Sequence, residues 1–226
     1  MRLATDAPPE KRVQAESKRR VRLHPAQRER QIVEGAVRFF AEMGFSGQTR
    51  ELAKRLGITQ GLLYRYFPSK EVLLDAVYKE VFESRWNPAW PEILQDRQRP
   101  LRERLVDLYV DYARVIHTFE WVRIFIHAGL EGLDTNSRYF ALLRKHLYPV
   151  VIKELRHEMQ LPSKGADDLT ETEVQLMLNL HGMVFFIGLR RHVYSNFPMP
   201  SDSTRLIAEQ VDLFLGGARS VLQERS

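Results

Sequence analysis

Residues 28–74 read RERQIVEGAVRFFAEMGFSGQTRELAKRLGITQGLLYRYFPSKEVLL, and their spacing decides the fold. Ile32, Val33, Ala36, Phe39, Phe40 and Met43 recur at i, i+1, i+4, i+7, i+8 and i+11, one apolar face of a first helix. Gly44 follows where the helix should end, since glycine takes positive φ freely. A second helix turns Leu52, Ala53 and Leu56 inward, and Gly57 stops it within two turns. Thr59 stands as N-cap of a third helix, with Ile58 packing from the preceding position. Pro68 closes that helix. Ser69 caps a fourth, with Glu71 at the favourable end of its dipole. Leu63 and Phe67 face the small core. Short helices meeting at a tight turn present one of them to a DNA major groove.

Charge is distributed to match. Residues 1–70 hold fifteen Lys and Arg against seven Asp and Glu, a net of +8, whereas the remaining 156 residues carry a net of −3. A basic end that neutralises phosphates binds duplex DNA with a steep salt dependence. Alone, such an end is also what a solvated surface looks like. Residues 1–26 read as a disordered basic arm, with Lys18, Arg19, Arg20 and Arg22 just ahead of the first helix. It either adds phosphate or minor-groove contacts or serves as a solubilising tail.

The motifs Arg30-x-Ile32, Ala36-x-x-x-Phe40, Gly44-Phe45, Leu52-Ala53, Leu56-Gly57-Ile58 and Leu63-Tyr64-x-Tyr66-Phe67-x-x-Lys70 resemble the DNA-binding domain of the TetR family of one-component transcriptional repressors. The resemblance implies an all-α protein. In it a three-helix helix-turn-helix domain (27–74) is joined by a fourth helix to a larger helical ligand-binding and dimerisation domain (75–226), about nine helices in all. It also implies which residues meet DNA. Gln60, Gly61, Leu62, Tyr64, Arg65 and Tyr66 form the recognition helix, Lys70 anchors a phosphate, and Thr49 and Arg50 stand at the head of helix two. Two departures stand out: Gln48-Thr49 replaces the usual hydroxylated pair, and Leu62 replaces a small or hydroxylated residue. Leu62 there touches a thymine methyl or contributes little to base readout.

Beyond residue 75 the pattern stays helical. Helices are expected over residues 69–85, after Pro100 (with Leu105, Leu108, Tyr109, Tyr112 and Ile116 on one face), and over 121–130, 136–159, 171–194 and 203–223. Residues 87–91 and 162–169 read as loops. The penultimate helix is apolar almost all round and must be buried on more than one side. By resemblance the last two helices pair with their twofold mate, through Phe186, Leu189, Ile207, Val211, Phe214, Leu215 and Ala218; a purely intrachain core is the other reading. A ligand pocket is likewise implied, with Tyr109, Tyr112, Trp121, Phe125, His127, Phe140, His181 and Phe185 as its expected walls. Each of these residues, taken singly, also reads as plain core.

Other chemistry finds little support. There are no cysteines, so disulfides and thiol chemistry are excluded. His127 and Glu131 at i, i+4 are too few for a metal site, and no cofactor is expected. No catalytic triad, phosphate-cradling glycine loop or carboxylate pair stands out, so an enzyme is not expected. A signal-like apolar segment and a run of about 18–20 apolar residues are both missing from the reading, which points to the cytoplasm. The expected function is a ligand-responsive, dimeric regulator that binds an inverted-repeat operator in double-stranded DNA and is released by a small-molecule effector. Activation by ligand, a helical small-molecule-binding protein without DNA readout, and a basic adaptor remain the alternatives.

Overall fold

The computed structural model describes residues 24–162, 165, 169–194 and 197–223; the basic cluster at 18–22 lies outside them. Eleven α-helices occur among the described residues. α1 (Pro25–Met43), α2 (Thr49–Arg55) and α3 (Gln60–Tyr66) form the head. α4 (Lys70–Tyr78) leaves the head and runs directly into a π-helical turn, Lys79–Glu83. The body follows: α5 (Trp90–Gln95), α6 (Leu101–Ile116), α7 (Phe119–Leu130), α8 (Thr135–His146), α9 (Tyr148–Glu158), α10 (Glu171–His192) and α11 (Thr204–Gln223).

The head folds for local reasons. α1 buries Ile32, Ala36, Val37, Phe39, Phe40 and Ala41 on one face and ends at Gly44, whose φ is +72°. Gly57, at φ +64°, makes the turn between α2 and α3. Thr59 and Ser69 accept hydrogen bonds from the amides of Leu62 (3.1 Å) and Val72 (3.3 Å), capping α3 and α4. Leu63 and Phe67 are buried beneath them.

The body departs from the sequence expectation in two places, both at proline. The helix expected over 136–159 is two helices, broken at Leu147. Pro149 has no N–H and its ring clashes with the carbonyl four residues back, so it ends one helix and sits in the first turn of the next. Pro91 plays the same part in α5, which the sequence reading left as loop.

α10 is the spine of the body. It is long and apolar enough to cross a bilayer by length and composition, which corrects the expectation that no segment would be. Its apolar faces are used inside the protein instead, packed against α6, α7, α9 and α11. Two buried ion-pair clusters fix the frame. Glu154 on α9 accepts from Arg97 (2.9 and 3.0 Å) and from Arg104 (2.9 Å), whose guanidinium also donates to the carbonyls of Leu94 and Arg99. Arg156 donates to Glu173 (2.7 Å), which closes the capping box at the start of α10.

Candidate functional site

The surface expected to read DNA is α3 with the head of α2. Gln60, Gly61, Tyr64 and Arg65 are exposed along α3, and Arg50 is exposed at α2. No atom lies within 4 Å of a Cβ built on Gly61, so the backbone can approach a partner closely there. Leu62 and Tyr66 are half-buried, and the Arg65 guanidinium lies over the Tyr66 ring at 5.7 Å.

Thr49 and Lys70 do something the sequence reading did not foresee. Thr49 is buried, and its hydroxyl lies 2.9 Å from the Tyr64 hydroxyl and 3.5 Å from the Gln60 amide nitrogen. It is a bracket that orients two exposed side chains, Tyr64 and Gln60, rather than an exposed group itself. The Lys70 ammonium donates to the Phe45 carbonyl, tying α4 to the loop after α1. That bond uses one of its three N–H donors and leaves two for a phosphate.

The head is gripped by the body along one stripe of α7. Arg123 donates to the Ala41 carbonyl (2.6 Å) at the end of α1. Glu131 accepts from the backbone amides of Phe45 (2.8 Å) and Ser46 (3.2 Å). His127 sits between them: a Cβ on Gly44 would lie 3.0 Å from its Nδ1. Burial first, then the charge of Arg123, holds the His127 pKa below its ordinary value. His127 therefore belongs to this seam and not to the pocket for which it was expected. A second grip comes from α8. The Arg138 guanidinium stacks on Tyr78 (3.6 Å) and pairs with Asp75 (2.9 Å), both on α4.

The opposite sides of α7 and α8 wall a cavity of about 80 Å³. Trp121 and Phe125 come from α7, Tyr139 and Phe140 from α8, Tyr112 from α6, and His181, Gly182 and Phe185 from α10. Tyr109 was expected in this lining too. It is fully buried behind it, edge-on to Tyr112 and His181. Phe82, in the π-helical turn after α4, packs against Trp121, Phe125 and Tyr139. The turn thus touches the wall of the cavity, and such turns recur at functional positions.

The expected dimer stripe is mostly spent within the chain. Ile207, Val211, Phe214 and Ala218 are buried on the face of α11 that packs against α6 and α10. Helical periodicity reveals that a face is apolar but not what covers it. Leu189 and Leu215 are half-buried. Phe186, Tyr194 and Phe197 remain 44–45% exposed and Leu213 71% exposed. Among the described residues no group of three or more His, Asp or Glu is placed to hold a metal ion, and Glu131 is engaged with the head.

These features have relatives. The family model of bacterial regulatory proteins, tetR family, matches residues 32–77, the head and α4. An HTH-type transcriptional repressor of Mycobacterium tuberculosis, Rv1474c, is 28% identical over 160 residues, which span 70% of this chain and 79% of the relative. The fatty acid metabolism regulator protein of Bacillus subtilis is 39% identical over 51 residues, 22% of this chain and 26% of that protein. Among solved structures, a putative TetR-family transcriptional regulator from Mesorhizobium loti shares the fold at TM-score 0.59 and 17% identity, over 87% of this chain and 98% of that one. AmtR of Mycobacterium smegmatis does so at TM-score 0.59 and 20% identity, over 88% and 89%. Helix-turn-helix head, helical body and kinship agree: residues 32–77 carry a DNA-binding domain of the tetR family of bacterial regulatory proteins, and the chain is a DNA-binding transcriptional regulator.

Proposed function

We propose that this regulator is a repressor that binds an inverted-repeat operator as a homodimer and is released when a small molecule enters the cavity. The observation that carries the reading is that two helices each have one side in the cavity wall and another on the head (α7) or on α4, which leads from it (α8). Trp121 and Phe125 share α7 with Arg123, His127 and Glu131; Tyr139 and Phe140 follow Arg138 on α8. A molecule that displaces the walls displaces the grips. Release then requires that it prefer the displaced state, because equal affinity for both states shifts nothing. Repression is the sign carried by the name of the Mycobacterium tuberculosis relative.

Homodimerisation is supported by what α10 and α11 leave uncovered. Phe186 and Leu213 are exposed, and no atom stands within 4 Å of a Cβ built on Gly182, Gly216 or Gly217. Such glycines cost helix stability, which a close backbone approach by a second copy would offset. A twofold pair also matches an inverted repeat. Gln60 and Tyr64 are the proposed readers, with Gly61, Leu62, Arg65, Tyr66 and Arg50 around them and Lys70 on a phosphate. The site of action is the cytoplasm.

Selection of bound duplexes from a random library at physiological salt tests this. The expected product is an inverted repeat bound by two copies. Recovery of random sequence alone, lost on adding salt, would sink the reading.

A further inference from the structure

The cavity carries an inference about the class of molecule that fills it, which rests on the ligand-responsive reading above. Among the described residues no Lys, Arg, Asp or Glu lines it. A charged group entering it would therefore leave water with no counter-ion beside it, an unfavourable exchange. The polar side chains in its wall are Tyr112, Tyr139, His181 and the indole of Trp121. Tyr112 and Tyr139 are engaged with each other, their hydroxyls 2.7 Å apart, one donating to the other.

His181 is different. It is 4% exposed, and its Nδ1 lies 3.0 Å from the Met177 carbonyl. A carbonyl can only accept, so Nδ1 carries the hydrogen, and the Tyr109 hydroxyl at 3.2 Å shares it. Burial holds the His181 pKa to about 4, so the ring is neutral near pH 7. Its Nε2 is then a bare acceptor, and among the described residues no group meets it. The Trp121 N–H is a buried donor, also without a partner among the described residues. An unmet buried acceptor in an aromatic wall is what a ligand hydroxyl can satisfy.

We propose that the cavity binds a small, uncharged, single-ring molecule bearing a hydroxyl, a phenol in kind, whose O–H donates a hydrogen bond to His181 Nε2. The walls already meet one another edge-on or stacked, the geometries a flat ring would join: Trp121 stacks on Phe125 at 5.0 Å, and Phe125 meets Phe185 edge-on at 5.3 Å. Size sets a limit. A cavity of about 80 Å³ is smaller than the roughly 150 Å³ that holds benzene in an apolar core. A one-ring ligand must therefore push the wall. Phe140, 38% exposed, is the wall residue with most room to move.

The test uses the intact protein with phenol, toluene, benzoate and cyclohexanol as probes, read by calorimetry and by 15N-histidine spectra. Phenol should bind at least about tenfold tighter than toluene, since toluene leaves the buried acceptor unmet. Cyclohexanol should bind more weakly than phenol, and benzoate not measurably. The Nε2 resonance of one buried histidine should move with phenol and stay still with toluene. His181→Phe should abolish the preference for phenol over toluene. The wild-type spectra decide the matter if that variant fails to fold. Equal affinity for phenol and toluene, tighter binding of benzoate, or no binding of any probe would each overturn the proposal. Operator binding is read separately. Phenol that binds as described without loosening DNA overturns ligand-driven release and leaves the ligand class standing. A compound that releases DNA without moving the His181 resonance does the opposite.

Discussion

The head and the body of this molecule keep their functional groups in opposite places. In the head the proposed readers are on the surface: Gln60, Tyr64 and Arg65 are exposed and stand on a small core that they do not help to fill. In the body the groups that would meet a ligand are the core itself, for Tyr112, Trp121 and His181 are all at most 4% exposed. Function and stability are separable in the first region and entangled in the second. Substitutions on α3 should change binding with little change in folding, whereas those around the cavity should do both.

The largest effect expected lies in the body. Glu154→Ala leaves Arg104, 3% exposed, without its carboxylate and should cost about 3–5 kcal/mol in denaturant unfolding. A loss below about 1 kcal/mol would mean the cluster is wetter than its burial suggests. Next comes acidity. His117 and His181 are held to about 4, by burial foremost, against an ordinary 6.5. Their folded pKa values are depressed, so the unfolded chain binds more protons between those limits. Stability should be complete above pH 6.5 and fall as pH drops towards 4, by about 3 kcal/mol for the fully buried His181. A flat profile across that window would break the contrast with the head, where no buried histidine stands.

Tyr64→Ala sharpens the contrast from the other side. It should weaken operator binding by about ten- to a hundredfold while stability moves by less than about 1 kcal/mol. Thr49→Val should reproduce part of the binding loss, because it removes the hydroxyl that holds the tyrosine, 2.9 Å away. Smaller again is the seam. Glu131→Ala removes a charged acceptor from the Phe45 and Ser46 amides and should loosen the head by about 1 kcal/mol, seen as faster amide exchange at those two positions. Glu131→Gln keeps an oxygen there and should restore most of the protection. The smallest effect is at the head's own surface. Arg55 pairs with Glu42 and Glu51 at 39% exposure, and Arg55→Ala should change stability by no more than about 0.5 kcal/mol.

The same contrast explains what could be read in the sequence. The head was legible because its determinants are local: the spacing of Ile32, Ala36 and Phe40, the caps Thr59 and Ser69, and the positive-φ glycines 44 and 57. The body's helices could be read too, except where Pro91 and Pro149 start helices that the apolar pattern alone left as loop or ran together. What joins distant segments could not be read. Arg104 meets Glu154 across fifty residues, and Glu131 meets Phe45 across eighty-six. Nor could periodicity say that the α11 stripe faces α6 and α10 rather than a second copy. Thr49 and Lys70 were noticed for DNA, but their bonds to Tyr64 and Phe45 depend on a turn geometry that residue types do not announce.

The central claim is that the wall helices of the cavity hold the head in place. The chain has no cysteine, so spin labels can be placed at will. With Lys54→Cys in the head and Arg219→Cys on α11, both exposed, the distance between labels within one chain reports the head's orientation. Labelled chains diluted with unlabelled protein isolate that distance. A single narrow distribution is expected in the otherwise native chain, broadening or shifting when Arg123→Ala, Glu131→Ala and Arg138→Ala together remove the polar grips of α7 and α8. An unchanged distribution in the triply substituted protein would contradict the account, because those bonds would then not be what holds the head.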